Sequence, residues 1–353
     1  MKLDNYYKLS PFSLENNEKN NYLKKFLNEL TFHHKKNSKR YNNFLKLYFF
    51  QKRFKKISDI PFLPAKIFKD LDLFSVSKNK IFKVLKSSGT SSSNISKIFL
   101  DKDNAERQIR ILKKIVEEVL GKTRMPMLII DSNPRLQDRR SFNARKAAIY
   151  GFSIFGKDQT FLLNEKNEID YEILNNFLRK YGKNKFFVFG FTSFVYENLF
   201  KKLLVNKLDT NFKNGILIHG GGWKKMENIK VNKTTFKKNL EIKLKLKNIF
   251  NYYGMIEQTG SIFIECKYTN SFVTSIFSDV IIRDKNFNVL EENKKGIVQL
   301  LSVLPTSYPG HSILTEDEGK IINVKNCKCG LKGKHFLLYG RLKDSEVRGC
   351  SDI

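Results

Sequence analysis

A change of rhythm near residue 255 constrains this fold more than any other feature. Before it, short apolar runs at 127–130, 186–189 and 215–218 alternate with segments of helical period at 101–120, 171–181 and 194–204. Strand and helix in alternation build a largely parallel sheet, and its strands, buried on both faces, read as unbroken apolar runs. Beyond residue 255 the helical pattern stops. Short strands follow at 261–266, 280–283, 297–303, 320–324 and 335–339, so the last third is expected to be β-rich, as a distorted barrel or a second sheet. No internal repeat is visible. The expected class is therefore α/β through about residue 255 with a β-rich final third.

Before the alternation, residues 1–58 are polar, rich in lysine and asparagine, with helical periodicity at 22–30 and 41–54. They read as helices packed on the main body, closed off by Pro61 and Pro64. In the helix expected to end near Leu120, Asp101 or Asp103 serves as cap. Its apolar face is read as Ile109, Leu112, Ile115, Val116 and Val119.

The 353 residues carry a formal net charge of +30. Such a charge points to nucleic acid, an anionic membrane or an acidic partner. The basic residues are spread along the chain without an arginine-rich block or an RNA-binding signature, so nucleic acid is not the expected partner. The N-terminus has no apolar core of a signal peptide, and no uncharged stretch is long enough to span a bilayer. Cys266, Cys327, Cys329 and Cys350 do not form the spacing of a secreted disulfide framework. A cytoplasmic protein is the simplest reading.

Four stretches carry chemistry. The first is the loop Ser87, Ser88, Gly89, Thr90, Ser91, Ser92, Ser93, flanked by two strand-like runs. Its hydroxyls and backbone N–H groups suit a polyphosphate, or a plain serine-rich hairpin. The second is His219, Gly220, Gly221, Gly222 and Trp223 at a strand's carboxyl end, where open α/β sheets bind ligands and glycine permits close approach. The third is Tyr252, Tyr253, Gly254, Met255, Ile256, Glu257, in which an aromatic could stack a purine and a carboxylate hold a metal ion. The fourth pairs Thr315, Glu316 and Asp317 with Tyr339, Gly340 and Arg341, an acid for ribose hydroxyls and an arginine for phosphate. A decoy is set aside: residues 151–157 fit half of a P-loop, but Asp158 stands where magnesium needs a hydroxyl.

The order of these four resembles the adenylate-forming acyl and aryl ligases. The family's serine-threonine-glycine loop matches residues 87–92, its Y-G-x-T-E matches Tyr253 to Glu257, its T-G-D matches Thr315 to Asp317, and its G-R-x-x-D matches Gly340 to Asp344. Within that superfamily the chain most resembles the LuxE acyl-protein synthetases, which activate fatty acid for bacterial bioluminescence reductase complexes. That narrower match rests on Asp131-Ser132 with Asp138-Arg139-Arg140, Phe189-Gly190-Phe191-Thr192, residues 219–224, Ser307-Tyr308-Pro309-Gly310-His311 and the ending Arg348-Gly349-Cys350-Ser351.

The resemblance implies a two-step ligase. A carboxylic acid, fatty in the first instance, attacks the α-phosphate of ATP with Mg2+, and the acyl group then passes to a thiol, for which Cys350 is the matching position. A thiolate is a strong nucleophile towards a mixed anhydride, and Arg348 would favour it. The implied roles place residues 87–93 on the phosphates, Gly221 and Gly222 against adenine, Tyr253 stacked on it and Gly254 in the same motif. Glu257 would hold magnesium, Asp317 the ribose, and Arg341 the phosphate or ribose. Phe189, Phe191 and Phe194 line either an acyl pocket or the core.

Cys266, Cys327 and Cys329 read either as ordinary buried thiols or, by similarity to phenylacetate-CoA ligases, as ligands of a structural zinc ion. Three thiolates suit zinc, Val273 or Thr274 stands where relatives carry a histidine ligand, and His335 is a candidate substitute. Ile256 replaces the usual threonine and Ser92 a glycine. The sequence ends just after the hinge motif, so the superfamily's mobile lid is expected to be absent. The implied organisation is a helical segment at 1–60, an adenylation core at 61–339 and a tail at 340–353 carrying Cys350. The partner expected is an acyl-CoA-reductase-like protein or an acidic carrier. Two rivals remain, an acyl- or aryl-CoA ligase of the phenylacetate type and a non-enzymatic adaptor.

Overall fold

The computed structural model describes residues 5–48, 54–87, 95–133, 144–206, 210–222 and 231–342. They fall into two compact units, one of 5–115 with 254–342 and one of 116–253.

The first unit opens with helices α1 (Asn16–Asn37) and α2 (Lys39–Tyr48). α1 contains the periodicity at 22–30, while that expected at 41–54 begins in α2 and runs past its end, Phe54 lying outside any helix. Strand β1 (Leu63–Pro64), the short helix α3 (Ile67–Asp70), the antiparallel pair β2 (Lys83–Lys86) and β3 (Lys97–Leu100), and helix α4 (Lys102–Leu120) follow. The side chain of Asp101 accepts from the Asn104 N–H at 2.8 Å, which makes it the cap of α4. The buried face of that helix is rotated from the expected one: Ile115 and Val116 are buried as expected, and Leu112 and Val119 are half-buried. Ile109 is 55 % exposed, while Asn104, Gln108, Ile111 and Ile115 face inward at helical spacing. Two polar residues can occupy a core face because both are bonded: Asn104 donates to Leu304 O and accepts from Thr306 N and Ser307 N, and Gln108 donates to the Tyr308 hydroxyl.

In the second unit the chain alternates strand and helix, as its apolar runs require. β4 (Met125–Ser132), α5 (Ala144–Ser153), β5 (Gly156–Leu163), α6 (Tyr171–Tyr181) and β6 (Phe186–Phe191) lead into a helix made of α7 (Thr192–Phe194), a π turn (Val195–Lys201) and α8 (Lys202–Val205). β7 (Gly215–Gly220), α9 (Lys233–Leu244) and β8 (Asn248–Tyr253) complete it. The strands lie in the order β5-β4-β6-β7-β8, all parallel. Every residue of β6 and β7 is buried, as expected of strands covered on both faces. The P-loop decoy resolves here: Gly151 lies in α5 and Gly156 opens β5, so the segment runs helix to strand, the reverse of a phosphate loop.

The final third returns to the first unit as β9 (Phe263–Glu265), β10 (Phe272–Val273), β11 (Ser278–Arg283), β12 (Gly296–Ser302), β13 (Ser312–Ile322) and β14 (His335–Arg341). These form a sheet in the linear order β11-β12-β13-β14-β10-β9, antiparallel throughout, with β1 added parallel to β13. Tyr41, Phe68, Leu85, Ile98, Tyr308 and Ile313 belong to one core cluster, which joins α2, the β2–β3 pair and β13. Helix α1 is tied in by polar bonds as well. The ammonium of Lys19, 1 % exposed, donates to Thr274 at 2.6 Å and lies 3.7 Å from Asp279. Among the described residues no helix is long and apolar enough to cross a membrane.

Candidate active site

In the first unit the expected metal-binding carboxylate lies in the short helical turn Ile256–Gln258, and Glu257 is 7 % exposed. Burial pushes its carboxyl above the usual range; a hydrogen bond from Ser96, its own backbone N–H, and the charges of Lys69 and Arg341 pull the other way without cancelling the rise. The turn is braced by the 307–311 motif. Tyr308 donates its hydroxyl to the Glu257 carbonyl at 2.9 Å, and Gln258 donates to the carbonyls of Gly310 and Leu300. A Cβ at Gly310 would lie 2.7 Å from that same Glu257 carbonyl, so glycine is required for the approach. Ser307 donates to Phe99 O and Asn104, which anchors the motif to β3 and α4. Gly260, at φ +87°, closes the turn with its Cα so near α4 that a Cβ would stand 2.6 Å from the Gln108 carbonyl.

Ser87 and Ser96 form the base of the serine-rich loop. The Ser87 N–H donates to Ser96 O at 3.0 Å, and the Ser96 N–H donates to the Ser87 hydroxyl at 2.9 Å. The Ser87 hydroxyl is thus part of the loop's closure, and Ser96, which the motif reading passed over, is the serine that reaches Glu257. Ser88, Gly89, Thr90, Ser91, Ser92 and Ser93 lie outside the described residues, as do Trp223, Asp138 to Arg140, Asp344 and Cys350.

Asp317 and Arg341 are register partners across β13 and β14. Arg341 also lies 3.5 Å from the Glu316 carboxylate, and the Asp317 N–H donates to Thr315 Oγ1. The unit therefore brings Ser96 within hydrogen-bonding reach and Lys69 and Arg341 within electrostatic reach of Glu257, with Asp317 opposite Arg341. Gly254 precedes the turn, where a Cβ would press on Ile262 at 3.0 Å.

Cys266, Cys327 and Cys329 form a separate cluster, all three sulfurs within 4.8 Å of one another and those of Cys266 and Cys327 3.5 Å apart. Burial alone would raise the Cys266 thiol, but hydrogen bonds from Thr269, Tyr268 and Cys327 outweigh it and leave the thiol below its usual value. Burial pushes Cys329 up to about 12. His335 is not drawn in: its Nδ1 pairs with Ser271 at 2.8 Å, and no fourth histidine, cysteine or acid among the described residues joins the three thiols.

In the second unit the glycine turn follows β7. Gly221 has φ +78°, and a Cβ at Gly222 would meet nothing within 4 Å, so the backbone there is open to a ligand. Tyr252 packs against Phe152 at 4.8 Å and occupies the space a Cβ at Gly220 would need, whereas Tyr253 is half-buried at the strand's end. Phe189 is fully buried and stacks on Phe152 at 4.5 Å, which makes it core. At the end of β4 the buried Asp131 takes two bonds from Arg145, at 2.7 and 2.5 Å, and the guanidinium lies 4.0 Å from the Phe194 ring centre. That pairing gives the Asp131-Ser132 motif its role, and spacing alone did not reveal it.

The fold defined by these elements is that of the adenylate-forming ligases. A 2-hydroxyisobutyryl-CoA ligase in an open conformation with its acyl-AMP and CoA superposes with a TM-score of 0.74 at 13% identity, over 95% of this chain and 77% of that one. ATP-bound MatB from Rhodopseudomonas palustris gives 0.51 at 13% identity over 76% and 49%. The amide bond synthetase McbA from Marinactinospora thermotolerans gives 0.50 at 14% identity over 76% and 50%. No curated protein matches the sequence. The model of the acyl-protein synthetase family LuxE matches residues 3–353, and the chain belongs to that family. It is an ATP-dependent acid ligase, in agreement with the resemblance read from its motifs.

Proposed function

We propose that this chain converts a fatty or related carboxylic acid to an acyl-adenylate, loads the acyl group on Cys350 and passes it to an acyl-CoA-reductase-like protein or an acidic carrier. In the first step a carboxylate oxygen bonds to the α-phosphorus of ATP and the α–β anhydride breaks, releasing pyrophosphate. In the second the Cys350 sulfur, its proton lost to solvent, bonds to the acyl carbon and AMP departs with the electron pair of the broken C–O bond.

The observation that supports this reading is the buried carboxyl of Glu257 with Ser96, Lys69 and Arg341 around it. A buried carboxyl held above its usual range still lacks full counter-charge. A hard cation that prefers carboxylate and phosphate oxygens fits that deficit. Glu257 would hold Mg2+, which when bound neutralises phosphate charge. Arg341 would serve the phosphate and Asp317 the ribose, while Ser87, with its loop, and Gly221, Gly222 and Tyr253 would contact the nucleotide. Intact-protein mass after incubation with magnesium-ATP and a panel of fatty acids tests the reading. An acyl adduct is expected on the wild type and not on Cys350→Ser, with pyrophosphate released by both. An adduct of equal size on Cys350→Ser would remove that cysteine from the mechanism.

A CoA-ligase reading draws support from the likeness to 2-hydroxyisobutyryl-CoA ligase. Thioester formation on free CoA, undiminished in Cys350→Ser, would decide for it.

The three clustered thiols fit three corners of a tetrahedral zinc site, since their sulfurs lie within 4.8 Å of one another and thiolates are ligands that zinc prefers. The expected result is about one zinc per chain by elemental analysis, lost in Cys327→Ser together with thermal stability. A zinc-free wild type of unchanged stability after chelation would leave them as plain thiols.

A further inference from the structure

Thr192 stands where β6 passes into α7. Its hydroxyl oxygen lies 2.9 Å from Nδ1 of His219, 3.1 Å from the Gly220 carbonyl and 2.9 Å from the Gly221 carbonyl. A hydroxyl has one proton, and both carbonyls can only accept. The proton therefore goes to the carbonyls, and the hydroxyl's lone pair receives the N–H of His219 Nδ1. The imidazole is buried against Phe236 with Lys233 and Lys237 near it, and burial first, then these cations, holds it neutral. A neutral ring has one N–H, so this geometry places it on Nδ1.

We propose that Thr192 is a positioning residue for the nucleotide: with His219 fixing its hydroxyl, it pins the carbonyls of Gly220 and Gly221 and presets the turn that receives ATP. The inference rests on the reading that residues 221 and 222 line the adenine. Three consecutive glycines lose more freedom on ordering than any other residues would. An unpinned turn would therefore meet that cost each time nucleotide binds. The hydroxyl meets it in advance, on folding, and leaves the backbone of the turn facing outward.

The test is steady-state pyrophosphate release by the full chain, with KM for ATP and kcat measured separately and thermal unfolding alongside. Thr192→Val, of the same shape without the hydroxyl, is expected to raise KM for ATP about five- to tenfold, the size of one lost hydrogen bond, with kcat within about twofold. Thr192→Ser is expected to restore the wild-type KM. Should the valine variant fail to fold, Thr192→Ala removes the hydroxyl without placing a methyl beside the carbonyls. A folded Thr192→Val or Thr192→Ala with wild-type KM overturns the positioning role. Gly221→Ala, strained at φ +78°, separates the two ideas. If it raises KM while the threonine variants do not, only the positioning role fails; if none of them moves KM, the glycine turn does not line the nucleotide.

Discussion

Glu257→Gln is expected to lower kcat for pyrophosphate release by about 10²–10³-fold, which is about 2.7–4 kcal/mol of transition-state stabilisation. The substitution keeps the shape and removes the charge. It leaves the Tyr308 bond in place, because that hydroxyl donates to the backbone carbonyl of residue 257 and not to its side chain. The Gln258 bonds to Gly310 and Leu300 are also untouched. Folding is therefore spared, and a neutral amide in place of a buried, under-compensated carboxylate should hold or raise the unfolding temperature. Loss of rate with retained stability is the signature of a group that serves the reaction. The measurement is pyrophosphate release at saturating ATP and acid with magnesium titrated; a loss under about fivefold at all magnesium levels would remove Glu257 from the site.

The parallel unit was legible because its physics is local. Strands buried on both faces must be apolar without interruption, and the run at 186–189 extends in the structure to β6 at Phe186–Phe191. Helix α6 has the same bounds in pattern and in structure, since Asp170 caps its start by accepting from Ile173 N. Legibility falls where polar residues are buried by long-range bonds. Asn104 and Gln108 do not belong to the apolar pattern of α4, and their partners at 304–308, two hundred residues away, turn the buried face towards them while Ile115 and Val116 stay buried. Lys19 is buried for the same reason, its charge met by Asp279 and Thr274. The acidic run at 315–319 lies between the strands expected at 297–303 and 320–324. In the structure it lies inside the eleven-residue strand β13, its charges half-exposed and opposed by Arg341 and Lys295.

The candidate site shows the same division. Motif spacing picked out Glu257, Asp317 and Arg341, and the structure sets them in one unit. Spacing could not show that Ser96 reaches Glu257, nor that the 307–311 motif acts as its brace. Both facts depend on contacts between segments far apart in sequence, and neither residue type is unusual in itself.

Acid should destabilise this protein steeply through its buried histidines. His311 is held to about 3 by burial and then by the charge of His33, and His219 to about 3 by burial and then by Lys237 and Lys233. His34 is also held well below its ordinary value, chiefly by burial and next by His311, which stacks on it at 5.0 Å. The hydrogen bonds explain why none of these rings can take a second proton cheaply. Thr31 gives its proton to Leu27 O and so accepts the Nε2–H of His311, whose Nδ1 has no partner. His34 donates Nε2–H to Pro305 O and accepts from Ser75. Folded-state values below the unfolded value of about 6.5 mean that the unfolded chain binds the extra protons first. Stability is therefore complete above about pH 6.5 and declines as pH falls towards 3. By pH 5 the loss is about 2 kcal/mol for each of His219 and His311, about 4 kcal/mol together, a large share of the stability of an ordinary domain. Denaturant unfolding at pH 8, 6.5 and 5 measures it. His311→Gln, which retains a donor towards Thr31 and cannot titrate, should remove that ring's own share, about 2 kcal/mol of the loss at pH 5, and leave the shares of His219 and His34. An unfolding midpoint that does not move between pH 8 and pH 5 would show that these rings are not the neutral, acid-sensitive supports their burial requires.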